Sequence, residues 1–310
     1  VDLNGIFPPI ATPFVDDDID WRGLSTNVAR WMSTGIRGIV ALGSNGEAPL
    51  IDASDAERLI AAIRPDVPRD RLLIAGTGQQ STRATIAATR AAARAGADAG
   101  LVLTPFYYKS QMTQDVLIKH FIDVADASPI PIILYNMPAT TGVSLSLGTV
   151  QRLATHPQII AVKDSSGDAA LVADYIAHTP KGFQVLVGVA PNLYASLCLG
   201  ANGGIVALAN AMPDLCVALY TLVREGRHAE ALEIQRALTP LARTVTTTYG
   251  AAGLKVALEA AGYVGGPPRM PLLPLTPQQA QEVKSQVEQL SAWADAHPFT
   301  RASIQSSAQA

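Results

Sequence analysis

The chain has 310 residues, of which 48% are apolar and 16% charged, and its 23 basic and 26 acidic side chains leave a formal net charge of −3. This composition supplies ample core and argues against disorder, and the absence of any basic block or arginine stripe argues against nucleic acid as a partner. The length fits one large barrel or two ordinary domains, with spare apolar surface to bury between subunits.

Short apolar runs alternate along the chain with longer amphipathic ones. A first strand is expected over residues 5–10 and a helix over 21–33, stopped by Gly35. Strand 36–42 and helix 54–63 follow, then strand 72–75 and an alanine-rich helix over 81–94 before Gly96. Next come strand 99–103, helix 116–125, strand 130–134, helix 147–155, strand 159–162 and helix 169–178. Strand 184–187, helix 193–199 and strand 203–207 complete the series. The strands are apolar on both faces, as parallel strands covered by helices must be. Eight such units point to an α/β fold, a closed (β/α)8 TIM barrel over 1–212. Helices expected at 215–225, 228–238, 241–248, 253–260 and 277–294 form a C-terminal helical extension over 213–298, and a Ser/Gln/Ala-rich tail at 299–310 is expected to fray.

Cys198 and Cys216 have apolar neighbours and are expected in the core. The stretch VDLNGIFPPIATPF has no basic head followed by a long apolar run, and no segment reaches transmembrane length, so no membrane partner is expected. The expected address is the cytoplasm, with a mitochondrial one open if a targeting segment has been removed.

Active sites of such barrels gather where the strands end. The segments there are GSNGE at 43–47, GTGQ at 76–79, TPFYYK at 104–109, YNMPATTG at 135–142, KDSSG at 163–167, GVAP at 188–191 and LANAMP at 208–213. Lys163 is the lysine that closes a buried strand. An amine desolvated in an apolar mouth is poised to attack a ketone and form an imine. The competing reading is a rim lysine paired to Asp164. Tyr135 ends the neighbouring strand and can move a proton in the same mouth, or simply be a core-edge tyrosine. GSNGE offers converging backbone N–H groups, with donors on Ser44 and Asn45, which suits a carboxylate. It also fits a plain turn. His120, His156, His178, His228 and His297 fall in helices or helix-end loops without HxH or HExxH spacing, so no metal is expected.

Taken together, these residues make the chain similar to the pyruvate-dependent class I aldolases, the superfamily of dihydrodipicolinate synthase and N-acetylneuraminate lyase. The resemblance spans residues 4–290 and rests on GIFPPIATPF, GSNGE, TPFYY, YNMPATTG and VKDSSGD in that order. It implies a Schiff base on Lys163, proton transfer by Tyr135, and a pyruvate carboxylate held by Ser44 and Asn45. It implies that Tyr107 is lent across a dimer interface to a neighbouring site, and that Gly188 and Ile205 wall the pocket. It further implies no cofactor beyond the covalent imine, and a homotetramer built as a dimer of dimers.

Dihydrodipicolinate synthases usually carry two threonines at 44–45 and an arginine where this chain has Thr140. Threonine lacks the charge and reach to hold a second carboxylate. The segment 253–255 (GLK) and the YxGGPxRxPL run at 263–272 resemble the 4-hydroxy-2-oxoglutarate aldolase branch. The expected activity is therefore cleavage of 4-hydroxy-2-oxoglutarate to pyruvate and glyoxylate, with Ser165 and the hydroxyls of Tyr107 and Tyr108 as candidates for its distal carboxylate, and Thr140 as a donor if the substrate has an uncharged polyol tail instead. A 2-keto-3-deoxy sugar acid such as 2-keto-3-deoxy-L-galactonate, a dihydrodipicolinate synthase-like condensation and an imine-dependent dehydration remain alternatives. So does a non-enzymatic 2-oxo acid binder.

Overall fold

The computed structural model describes residues 1–300. Eight parallel strands form one sheet: β1 Gly5–Phe7, β2 Gly38–Ala41, β3 Leu72–Gly76, β4 Ala99–Leu103, β5 Ile132–Asn136, β6 Ile159–Asp164, β7 Gln184–Val187 and β8 Gly203–Ile205. Sequential neighbours pair from β2 to β8, and β8 pairs with β1. The last seam closes through a Pro9–Val40 bridge, with Val40 N–H donating to Pro8 O at 2.9 Å and Ile10 N–H to Val40 O at 2.9 Å. The result is a TIM barrel. The ladder ends at Phe7 rather than residue 10, because Pro8 and Pro9 have no N–H to donate.

Helices α1 Trp21–Met32, α2 Ala53–Ile63, α3 Thr82–Arg94, α4 Gln114–Ala127, α5 Leu147–Leu153, α6 Ala169–His178 and α7 Leu193–Cys198 connect the strands. Polar side chains cap several of them. Asp20, Ser81, Thr113, Ser146 and Asp168 each accept a first-turn N–H, of α1, α3, α4, α5 and α6 respectively. Helix α8, Pro213–Arg224, packs against β1 and takes the place of the eighth barrel helix. Three more helices follow: α9 His228–Arg243, α10 Gly250–Ala260 and α11 Pro277–Ala296. Their apolar faces join the same buried cluster as α1, α2, α7 and α8, while α4, α5 and α6 pack in a second cluster.

Several expected boundaries shift. Residues 228–238 and 241–248 are not two helices. One helix runs through Pro240 to Arg243 and ends in a π turn, Thr244–Thr248. Burial of Leu238 and Leu241 on one face outweighs the hydrogen bond lost at the proline. A hairpin, Phe14–Val15 with Asp18–Ile19, and a short helix, Pro138–Thr141, are additional elements. Cys216 is buried as expected, whereas Cys198 is exposed at the end of α7, with its Sγ 3.7 Å from His228 Nδ1. At the start of the tail expected to fray, Thr300 Oγ1 donates to Ala294 O and His297 O, and Phe299 lies edge-on to Trp293. Those two residues are tied down, while 301–310 lie outside the described residues. Among the described residues no helix is long and apolar enough to cross a membrane.

Candidate active site

One irregularity in the sheet creates the site. Ile132 pairs with Ile159, but Ile133 pairs with Ala161, so β6 carries one extra residue against β5. Without that bulge the offset set by Ile132 and Ile159 would put Tyr135 opposite Val162. With it, Tyr135 faces Lys163 and Asn136 faces Asp164. Side chains alternate along a strand. Ile133 and Tyr135 on β5, and Ala161 on β6, belong to the apolar cluster that fills the barrel. Lys163, two residues beyond Ala161, therefore points inward at the mouth. The strand does not stop before the lysine, as its apolar run suggests, but continues through Lys163 and Asp164.

Lys163 is 3% exposed and Tyr135 5%. The Lys163 Nζ lies 4.0 Å from the centre of the Tyr135 ring. Lys163 makes no ion pair among the described residues, so the rim-pairing reading finds no support. Tyr135 Oη donates to Met137 Sδ at 2.8 Å, and Ser44 Oγ reaches the same sulfur at 3.6 Å. A thioether is a weak acceptor, so both hydroxyls are free to turn to a better one. Gly188 gives the lysine its room. A β-carbon there would sit 1.8 Å from Ser165 Oγ and 2.9 Å from Lys163 Cε.

Behind the mouth, Asn136 and Asp164 form the next cross-strand pair. Both are buried, and Asn136 Nδ2 donates to Asp164 Oδ1 at 2.7 Å. Ser166 donates its N–H and hydroxyl to Asp164 Oδ2 at 3.1 and 2.6 Å, and the Gly188 N–H donates to Asp164 O at 2.6 Å. Burial pushes the Asp164 pKa above the ordinary carboxylate value, and the hydrogen bonds from Ser166 and Asn136 pull it back. This network fixes β5, β6 and the start of the β7 loop relative to one another.

The GSNGE segment forms a 3-10 turn, Ser44–Gly46. Its first two N–H groups, on Ser44 and Asn45, have no protein acceptor among the described residues. The turn is flanked by two non-glycine residues in the left-handed region, Leu42 at φ 55° and Glu47 at φ 59°. Each such residue costs on the order of 1–3 kcal/mol and persists only where its surroundings enforce it. At Leu42 the neighbouring strand leaves room for this backbone: a β-carbon on Gly76 would lie 1.9 Å from the Leu42 carbonyl oxygen. Gly46 packs closely on the first segment of the chain, and Thr12 Oγ1 donates to Gly46 O at 2.8 Å. The ion-pair partner of the Glu47 side chain has no signal in the local sequence. It is Lys255, whose Nζ lies 2.6 Å from Glu47 Oε1.

The remaining candidates divide. Ser165 stands beside Gly188 at the mouth, and Ile205 is fully buried in the barrel interior with Tyr135 and Leu186. Thr140 is exposed on the short helix after β5. Tyr107 is 75% exposed and edge-on to Tyr108, and is not brought to its own chain's Lys163. Among the described residues no three His, Cys, Asp or Glu side chains converge as metal ligands do. A groove of about 470 Å3 lies away from the mouth, between α9 and α11, with Arg236, Leu241, Leu290 and Trp293 on its walls.

The whole chain resembles known proteins along almost its full length. The pattern of the dihydrodipicolinate synthetase family matches residues 2–290. A 4-hydroxy-tetrahydrodipicolinate synthase from Exiguobacterium sp. is 35% identical over 290 residues, covering 93% of this chain and 98% of that protein. Among solved structures, the 4-hydroxy-tetrahydrodipicolinate synthase of Methylacidiphilum fumariolicum SolV superposes with a TM-score of 0.92 at 28% identity, covering 98% of this chain and all of that one. YagE, a prophage protein of the dihydrodipicolinic acid synthase family from E. coli K12 solved with pyruvate, gives 0.88 at 30% identity, covering 93% and 99%. The synthases carry that name rather than the name of the 4-hydroxy-2-oxoglutarate aldolase branch suggested by the 263–272 segment.

Proposed function

The chain belongs to the dihydrodipicolinate synthetase family, and on that premise we propose that it works as a Schiff-base aldolase in which Lys163 attacks the 2-oxo carbon of pyruvate. The observation that carries this reading is the pairing of Lys163 with Tyr135 across β5 and β6, buried at the C-terminal mouth of the barrel. The Lys163 amine adds to the ketone, water leaves, and a protonated imine forms. The imine takes up the electron pair left when the methyl group loses a proton, giving an enamine. The enamine carbon attacks an aldehyde, whose oxygen is protonated as the C–C bond forms. Hydrolysis returns the amine and releases the product, and cleavage runs the same steps backwards. Tyr135 moves the proton at the reacting oxygen. Ser44, Asn45 and their free N–H groups hold the carboxylate. The imine is the electron sink, so no metal or organic cofactor enters any step.

For the aldehyde, the named synthases favour a condensation with an amino acid semialdehyde. Thr140 weighs against aspartate semialdehyde, because an exposed neutral hydroxyl gives a charged second substrate no cationic partner, and it suits the uncharged polyol tail of a 2-keto-3-deoxy sugar acid; the 263–272 segment favours the second reading, cleavage of 4-hydroxy-2-oxoglutarate. The exposed Tyr107–Tyr108 pair supports a shared site in a dimer of dimers, with Tyr107 serving the neighbouring mouth. Comparison of kcat/KM for aspartate semialdehyde, 4-hydroxy-2-oxoglutarate and a 2-keto-3-deoxy sugar acid tests the choice. A preference of tenfold or more for the semialdehyde selects the synthase reading. The opposite order selects cleavage, and full retention of the carbon skeleton would select dehydration instead.

A further inference from the structure

The turn that carries Ser44 and Asn45 is held from the far end of the chain. Glu47 and Lys255 are both 1% exposed at their side chains and stand 2.6 Å apart. Glu47 Oε2 accepts the backbone N–H of Arg269 at 2.8 Å. Lys255 Nζ also donates to Pro267 O at 2.8 Å and lies 4.3 Å from the centre of the Phe14 ring. Arg269 Nη1 donates to Leu50 O at 3.0 Å, just beyond the turn. Glu47 is thus held by helix α10 and the segment after it, and the hairpin near the N-terminus packs on their two cations through Phe14.

The glycines of the 263–272 segment are explained by this meeting. A β-carbon on Gly265 would lie 2.3 Å from Lys255 O, and one on Gly266 would lie 2.6 Å from Phe14 O. Gly266 also has φ +67°, which suits glycine. Glu259 Oε1 accepts both of their N–H groups. The segment is folded tightly enough to bring Arg269 N–H onto Glu47 and Pro267 O onto Lys255. An apolar pair of similar volume would fill this space without loss of stability in many cores. What the ion pair adds is direction: it fixes the carboxylate end of Glu47, and through it the left-handed backbone that closes the turn.

We propose that Glu47 and Lys255, braced by Arg269, are positioning residues for the carboxylate of the 2-oxo acid, so that the C-terminal helices set the affinity of the barrel mouth for pyruvate. The inference rests on the reading of the 44–45 turn as the carboxylate site. Neither residue needs to touch the substrate. Their effect passes through the orientation of the Ser44 and Asn45 N–H groups.

The test compares the full-length wild type with a Glu47→Gln/Lys255→Met double variant, which removes both charges together, and with Arg269→Gln, which removes the side-chain bonds to Leu50 O and Asp17 and keeps the backbone N–H bond to Glu47. Borohydride trapping of Lys163 is followed against pyruvate concentration and, in parallel, against hydroxyacetone, a ketone with no carboxylate. The double variant is expected to need at least tenfold more pyruvate for half-maximal trapping, and Arg269→Gln about threefold more. The maximal trapping rate should stay within threefold, and the hydroxyacetone curve should not move. Half-saturation by pyruvate within 1.5-fold of wild type in Arg269→Gln overturns the inference even if the double variant fails to fold, and an equal shift for hydroxyacetone overturns it too. A wild type that traps no pyruvate instead overturns the aldolase reading, and this inference with it.

Discussion

Gly188→Ala tests how closely the mouth is built around its nucleophile. The new β-carbon would meet Ser165 Oγ at 1.8 Å and Lys163 Cε at 2.9 Å. Ser165 can rotate its hydroxyl aside. Lys163 has less freedom, because β6 holds its backbone and the Tyr135 ring lies 4.0 Å from its Nζ. Carbon atoms sit comfortably about 3.8 Å apart, so Cε must move by roughly 0.9 Å. A misplacement of about 1 Å in a reacting group costs on the order of 100-fold in rate, or about 2.7 kcal/mol of activation free energy. The expected result is a kcat down by about two orders of magnitude, with the thermal midpoint within a few degrees of wild type. Single-turnover borohydride trapping should slow by the same factor, which places the defect at imine formation. The Ser165→Ala/Gly188→Ala double variant relieves the first contact but not the second, so it should remain slow. A kcat within threefold of wild type for Gly188→Ala, or full recovery in the double variant, would refute the reasoning.

Tyr135→Phe keeps the ring beside Lys163 and deletes only the hydroxyl, so kcat should fall by roughly 10²–10⁴-fold; steady-state kinetics showing a loss under fivefold would leave Tyr135 a packing residue. Asn136→Leu removes the hydrogen bond to the buried Asp164 carboxylate, a loss of about 1.5–3 kcal/mol at neutral pH, and also the acceptor of the buried Leu145 N–H, a further loss of about 1–3 kcal/mol that does not vary with pH. Because the Asp164 pKa is raised on folding, its ionisation costs stability above that pKa, and the cost is relieved as pH falls through it. The gap between wild type and Asn136→Leu in urea unfolding should therefore narrow on going from pH 7 towards the carboxylate range, and a gap independent of pH would contradict the assignment. Thr140→Arg supplies a charged fork at the mouth and should raise kcat/KM for aspartate semialdehyde at least tenfold over that for an uncharged aldehyde. Equal changes for both aldehydes would show that residue 140 does not face the second substrate.

The barrel was legible because parallel strands buried on both faces leave short apolar runs, and each was bounded by glycine, proline or a cap. Lys163 and Tyr135 were legible for the same reason: each interrupts a strand end with a polar group. Their direct apposition was not, since it depends on a one-residue bulge between β5 and β6, and a bulge changes pairing without changing composition. GSNGE could be read as a donor-rich turn, but the role of Glu47 could not. Its partner Lys255 lies in a helix near the other end of the chain, and nothing local marks a lysine as buried. The helix through Pro240 was misread because proline is a strong local stop, and only tertiary burial of its neighbours overrides it. Cys198 was misread in the opposite sense, since apolar neighbours on a short helix do not fix which face is covered.

The proposed activity requires covalent chemistry at one nitrogen, and mass spectrometry reads that directly. Wild-type protein is incubated with pyruvate, reduced with borohydride, digested and sequenced. The predicted result is one adduct, a reduced three-carbon 2-oxo acid on the peptide containing Lys163, lost in Lys163→Ala while that variant keeps its circular dichroism spectrum and thermal midpoint. Pyruvate that leaves Lys163 unmodified, or an adduct of equal yield in the Lys163→Ala variant, would contradict it.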